Sequence, residues 1–118
     1  MDDSVEALRS EAIRFRDERE WARFHRPKDL ALGLCAEAGE LAELFLWKSD
    51  AEIEAALSDA RFRERLADEM ADVLVFLLYL SDRSQLDLGA AVREKLAKNA
   101  VKYPVERARG NARKYDEL

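Results

Sequence analysis

Between Asp59 and Asp82 the chain carries neither glycine nor proline, and inside that stretch Val73–Leu80 is an uninterrupted run of apolar residues. The spacing predicts one long helix, because nothing in the stretch supplies a stop signal. At about 100° per residue, Leu74, Val75 and Leu78 fall on the side opposite Val73, Phe76 and Leu80. A helix that is apolar nearly all round has to be covered on both sides. One small bundle covers one side well, so the other side predicts a homo-oligomer, dimer or tetramer. The same run is far shorter than the roughly 20 residues that cross a bilayer. No charged-then-apolar leader opens the chain, so a soluble, cytoplasmic protein without membrane contact is expected.

The rest of the chain also reads as helix. A first segment runs from Ser4 to Phe24, with Val5, Leu8, Ala12 and Phe15 at helical spacing and Asp3 with Glu6 as a capping box. A second follows Pro27, from Lys28 to Trp47. Ser49-Asp50 opens a short piece through Leu57, and Ser58 is positioned to cap the long helix, Asp59 to Asp82. Asp87 caps a last helix that ends near Tyr103, because Pro104 forbids continuation. The expectation is an all-α fold: an antiparallel four-helix bundle with a short extra helix. It forms one domain over residues 1–118, with 104–118 as a polar tail turning at Gly110-Asn111. Four glycines and two prolines are too few for a turn-rich β-sandwich. With 20 basic and 25 acidic side chains the net charge is -5, which argues against binding along a nucleic acid polymer. Cys35 is the one cysteine, so there is no internal disulfide and no cysteine-built zinc site; its place on the wheel makes it a packed thiol.

Acidic residues stand where apolar ones belong. With Glu37 at zero on a helical wheel, Leu30, Leu34, Leu41 and Leu44 fall within about 60° of it, and Glu40 takes the flank with Trp47 two turns on. With Glu69 at zero, Phe62, Leu66, Val73, Phe76 and Leu80 surround it, Asp72 takes the flank, and Tyr79 follows two turns later. Each segment thus puts two carboxylates, three residues apart, on its core-facing side. If the two helices pack by these stripes, Glu37, Glu40, Glu69 and Asp72 converge. Burying unpaired carboxylates costs several kcal/mol each, so a cation has to sit among them. Mg²⁺ suits an all-oxygen site that also receives phosphates. The competing arrangement is an arginine clamp from Arg61, Arg63 and Arg65. A ferritin-like di-iron centre is set aside, because it needs Glu-x-x-His and the one histidine, His25, has Ala22 three residues before it.

The pattern E-x-x-E, 28 intervening residues, E-x-x-D resembles the signature of the all-α nucleoside triphosphate pyrophosphatases, the MazG-like superfamily, and within it the members acting on dCTP. The stretches Arg16–Trp21, Phe24-His25, Glu37–Lys48, Asp68–Leu74, Lys102–Pro104 and Arg113–Tyr115 extend the likeness over nearly the whole chain. The resemblance implies a Mg²⁺-dependent hydrolase that converts a deoxynucleoside triphosphate to its monophosphate and pyrophosphate, in a helical bundle assembled as a tetramer. It implies Glu37, Glu40, Glu69 and Asp72 as metal ligands, and Trp21, His25 and Trp47 around base and sugar. Phe76 stands where a tyrosine is expected, Ala12 where a histidine is and Asp29 where an asparagine is, so the chemistry is better specified than the base.

Among the carboxylates, Glu40 is the candidate general base, with Glu43 as a neighbouring alternative. On the last helix Lys95, Asn99 and Lys102 share a stripe with Leu88 and Val92, a placement that suits a phosphate chain. The function that the resemblance implies is nucleotide-pool cleaning by hydrolysis of a dCTP-like deoxynucleoside triphosphate. A related all-α dUTPase, a broad triphosphate hydrolase and a non-catalytic oligomerisation module are the alternatives.

Overall fold

The computed structural model describes residues 2–118, and among them every regular element is helical. The chain divides into two compact units, one ending at Gln85 and one spanning Leu86–Leu118.

The first unit holds α1 (Val5–Glu18), α2 (Pro27–Glu43), α3 (Asp50–Ala56) and α4 (Ala60–Ser84). Ser4, rather than Asp3, caps α1: its hydroxyl accepts the Ala7 N–H at 3.1 Å. The expected Asp3–Glu6 box gives way because Glu6 turns to the Arg9 guanidinium. α1 also stops at Glu18, short of Phe24. Glu20 adopts a left-handed φ of 56°, and Ala22–Phe24 forms a separate 3₁₀ turn. This break lets the chain lay His25 on Tyr79, with ring centroids 4.5 Å apart.

Pro27 opens α2 at a position where its missing N–H costs nothing. The helix ends at Glu43, not Trp47, since Trp47 has a φ of 65° and the Lys48 ammonium donates to the Leu44 carbonyl. A reciprocal capping box then starts α3: Ser49 accepts the Glu52 N–H and Glu52 accepts the Ser49 N–H. Asp59, one residue beyond the expected Ser58, caps α4 by accepting the Phe62 N–H at 3.1 Å.

α4 is the middle element, with α2 packed along it on one side and α1 on the other. Leu30, Leu44, Phe62, Leu78 and Tyr79 form the buried core. The side of α4 that the sequence assigned wholly to a second copy is therefore partly covered from within. Leu8, Ala12 and Phe15 of α1 approach Leu74, Val75 and Leu78, leaving an open groove between them.

An ionic clamp also joins these two helices. Arg9 and Arg16 both donate to the Asp82 carboxylate, at 2.7 and 3.0 Å. The Arg16 side chain is only 11% exposed and also pairs with Asp17 at 2.8 Å, so removing Asp82 takes away one of its two carboxylate partners in a poorly hydrated place. Asp82→Ala is expected to cost about 2 kcal/mol in urea unfolding; a loss below about 0.5 kcal/mol would mean that water replaces the carboxylate freely.

The second unit holds α5 (Leu88–Lys102), capped by Asp87, and the short α6 (Val105–Ala108) after Pro104. The expected polar tail is thus partly structured: Gly110 turns at a φ of 78°, and Tyr115 packs edge-on to Tyr103 with centroids 6.1 Å apart. No helix among the described residues is long and apolar enough to cross a membrane.

Candidate metal centre

α2 and α4 run antiparallel. Moving forward along α2 from Gly33 through Glu37 and Glu40 to Phe45, the facing residues on α4 step back from Phe76 through Asp72 and Glu69 to Phe62. This register sets one i,i+3 carboxylate pair against the other. Glu37, Glu40, Glu69 and Asp72 each present an oxygen so that all four atoms lie within 4.8 Å of one another.

The quartet sits at the edge of the helix interface rather than wholly inside it. Glu37 and Glu69 are half-buried, and Glu40 and Asp72 are exposed. The Oε2 atoms of Glu37 and Glu69 are shielded from solvent and have no hydrogen-bond partner. Loss of hydration, and then the charge of Glu40, raise the pKa values of both groups above the ordinary carboxylate value. The arginine clamp does not form: among the described residues no ion pair reaches the quartet, and Arg63 donates instead to the Leu57 carbonyl at 3.1 Å. Four acidic groups this close, with two orphaned buried oxygens and no cationic side chain, make a donor set that fits a divalent cation. With oxygen alone and no histidine or cysteine, it favours a hard ion over a soft one.

A groove of about 540 Å³ leads away from the quartet between α1 and α4. Asp72 belongs to both, and Leu8, Ala12, Phe15, Val75 and Tyr79 give the groove an apolar wall with Glu11 among its polar groups. Around its Tyr79 end lies an aromatic cluster. His25 stacks on Tyr79, Phe76 meets Tyr79 edge-on with centroids 6.1 Å apart, and Trp21 meets Phe15 edge-on at 5.8 Å. Burial, reinforced by Arg16, lowers the His25 pKa, and its Nδ1 is buried without a partner. Burial pushes the Tyr79 phenol up, against the pull of Arg16 and Arg19.

Of the residues singled out in the sequence, the four carboxylates come together, and Trp21, His25 and Phe76 gather around Phe15 and Tyr79. Trp47 does not join them. It is 92% exposed on the turn after α2, because the helix that would have carried it along the carboxylate flank has already ended. Lys95, Asn99 and Lys102 lie on α5 in the second unit, where the Lys102 ammonium stacks on the Tyr115 ring at 4.9 Å. Cys35 is exposed rather than packed, since α2 buries its opposite side. Sequence reasoning overlooked Tyr79 and Glu11 as groove residues. Tyr79 carried a usable signal, standing two turns after Asp72 on the same flank, whereas Glu11 reads as an ordinary surface acid.

An all-helical unit in which E-x-x-E faces E-x-x-D across an antiparallel helix pair defines a class of acidic centre whose donor set fits a divalent cation. The chain belongs to the MazG-like family, whose pattern matches residues 33–118. It is 44% identical over 115 residues to dCTP pyrophosphatase 1 of Rattus norvegicus and 43% identical to that of Homo sapiens. Each alignment spans 98% of this chain and 68% of the relative. A pyrophosphatase from Archaeoglobus fulgidus has a similar structure, with a TM-score of 0.79 at 37% identity, covering 88% of this chain and 95% of that one.

Proposed function

We propose that this chain is a nucleoside triphosphate pyrophosphatase that hydrolyses a deoxynucleoside triphosphate, with dCTP as the first substrate to test, to its monophosphate and pyrophosphate. The observation that carries this reading is the carboxylate quartet opening onto an apolar groove of nucleoside-accommodating size. The family membership and the dCTP pyrophosphatase relatives support the same substrate class.

Glu37, Glu40, Glu69 and Asp72 would hold the cation, with Mg²⁺ as the proposed ion. Bound there, it would supply charge compensation for the triphosphate and lower the pKa of attacking water. Glu40, exposed at the rim of the quartet, is the proposed base that takes the proton from that water. The water oxygen bonds to the α-phosphorus as the bridge to the β-phosphate breaks, and pyrophosphate departs. The groove walls, with Phe15, Tyr79 and the neighbouring His25, receive base and sugar and exclude water from them. Ala12 offers no hydrogen bond to a base, and Phe76 lacks a hydroxyl, so discrimination among pyrimidines is expected to be loose.

The whole chain is proposed to act as one catalytic domain over residues 1–118, supported by a family match that takes in part of the first unit and all of the second. The four-helix bundle and a homo-oligomer are further parts of the proposal. Leu32, Met70 and Leu74 in the first unit and Val92, Leu96 and Val101 in the second stay exposed, and apolar surface of this kind favours assembly. A nucleotide-pool role in the cytoplasm is consistent with the substrate class.

The test is incubation of the protein with dCTP, dUTP, dTTP and dATP in the presence of Mg²⁺. Monophosphate and pyrophosphate are expected in equal amounts, and no turnover is expected when EDTA is present. Orthophosphate as the product, or no turnover of any nucleotide, would overturn the reading.

A further inference from the structure

We propose that Gly33 and Phe76 form a spacer that sets the separation of α2 and α4 at the carboxylate quartet, which makes Gly33 a positioning residue for the metal centre. The inference rests on the reading of the quartet as a cation site.

Glycine weakens a helix interior relative to alanine, and Gly33 lies well inside α2. Its backbone is ordinary helix, since among the glycines only Gly110 takes a positive φ, so conformational freedom does not explain it. Space does. A Cβ at position 33 would lie 2.3 Å from Cε1 of Phe76, 2.9 Å from Cδ1 and 3.0 Å from Cζ. Carbon atoms pack at about 3.5–4.0 Å, so a methyl group cannot share that position with the ring.

Retreat of the half-buried Phe76 ring is blocked on one side. Its ring packs edge-on to Tyr79, which is itself buried in the core and covered by His25. With the ring hindered toward Tyr79 and the helix backbone on the other side, the proposed relief is α2 lifting off α4. Gly33 lies one turn before Glu37 and Phe76 one turn after Asp72, so the next layer of contact along the helix pair is the quartet itself. Close-packed elements transmit such a shift rather than absorbing it. Mg²⁺ requires near-ideal octahedral geometry at about 2.0–2.1 Å, and a displacement of a few tenths of an ångström in half its ligand set weakens binding.

Gly39 supplies the internal control. It lies between the two α2 carboxylates, yet a Cβ there meets nothing within 4 Å. A glycine-to-alanine change in the same helix can thus be made with and without the clash.

The experiment is calorimetric titration of the full chain with Mg²⁺ alone. Gly33→Ala is expected to weaken Mg²⁺ binding at least tenfold, and Gly39→Ala to leave it within about threefold of the starting protein. Gly33→Ala combined with Phe76→Leu, which removes the ring edge, is expected to restore affinity to within about threefold. Unchanged affinity in Gly33→Ala, or a loss that Phe76→Leu does not recover, overturns the spacer. Should Gly33→Ala fail to fold, the double variant decides: folded and binding upholds the spacer, unfolded or non-binding rejects it. If the starting protein itself takes up no Mg²⁺, the metal-centre reading falls and the spacer with it, an outcome distinct from equal binding by both proteins.

Discussion

Glu69→Gln is expected to lower pyrophosphate release at least about a hundredfold while making the metal-free protein harder to unfold. Both effects have one source. The Glu69 carboxyl lies beside Glu40 and Asp72, one of its oxygens is buried without a partner, and its pKa is raised first by lost hydration and then by the Glu40 charge. In the folded, metal-free chain the ionised form of this group is therefore disfavoured relative to the unfolded chain. Glutamine keeps the shape and removes that charge, so the urea midpoint measured in EDTA rises. In the metal-loaded protein the same change would delete a proposed ligand, and activity is expected to fall. At a pH low enough to protonate Glu69, the stability difference between the two proteins is expected to vanish. A glutamine variant that is fully active, or less stable than its parent in EDTA, would remove Glu69 from the centre.

Removing divalent ions is expected to abolish turnover and to reverse the pH dependence of stability associated with Glu37 and Glu69. Both carboxyls have raised values in the folded chain. For such groups the folded state binds protons more tightly than the unfolded state. Their favourable contribution is complete below the unfolded value and is lost as pH rises through the folded one. The metal-free protein thus gains stability from this pair on acidification into the carboxylate range. With Mg²⁺ at a hundred times its dissociation constant, about 2.7 kcal/mol of stabilisation is present near neutrality. Protons displace the ion as the pH falls, and that stabilisation disappears. Urea midpoints measured against pH with Mg²⁺ and with EDTA should therefore converge at low pH and separate toward neutrality. Parallel curves would show that no ion binds at these carboxylates.

The carboxylate quartet was legible because a helix turns its i and i+3 positions to one face. Two segments carrying the same acid pair amid the same apolar stripe are then complementary before any coordinates are known. The order of the helices was legible for the same reason, and most caps lay within a residue of their expected places. What the sequence hid was set by contacts between distant segments. Nothing near Arg16 announces that its guanidinium will meet Asp82, 66 residues away, or that α1 will shield one side of α4. The end of α2 was misjudged because Leu44–Trp47 has good helical character. The left-handed turn at Trp47 and the Ser49 box that follows redirect the chain, and helical periodicity does not register either. That the quartet lies at a rim rather than indoors likewise depends on how deeply two helices interpenetrate, which a wheel does not contain.

α4 borders both the acidic cluster and the groove, but its two companions divide the labour. α2 supplies half of the carboxylates and none of the groove lining, whereas α1 supplies groove lining and none of the carboxylates. On the proposed reading, changes in α1 would alter which base is admitted while the carboxylates of α2 and α4 stay intact. Substrate range in proteins built this way is free to drift faster than their chemistry.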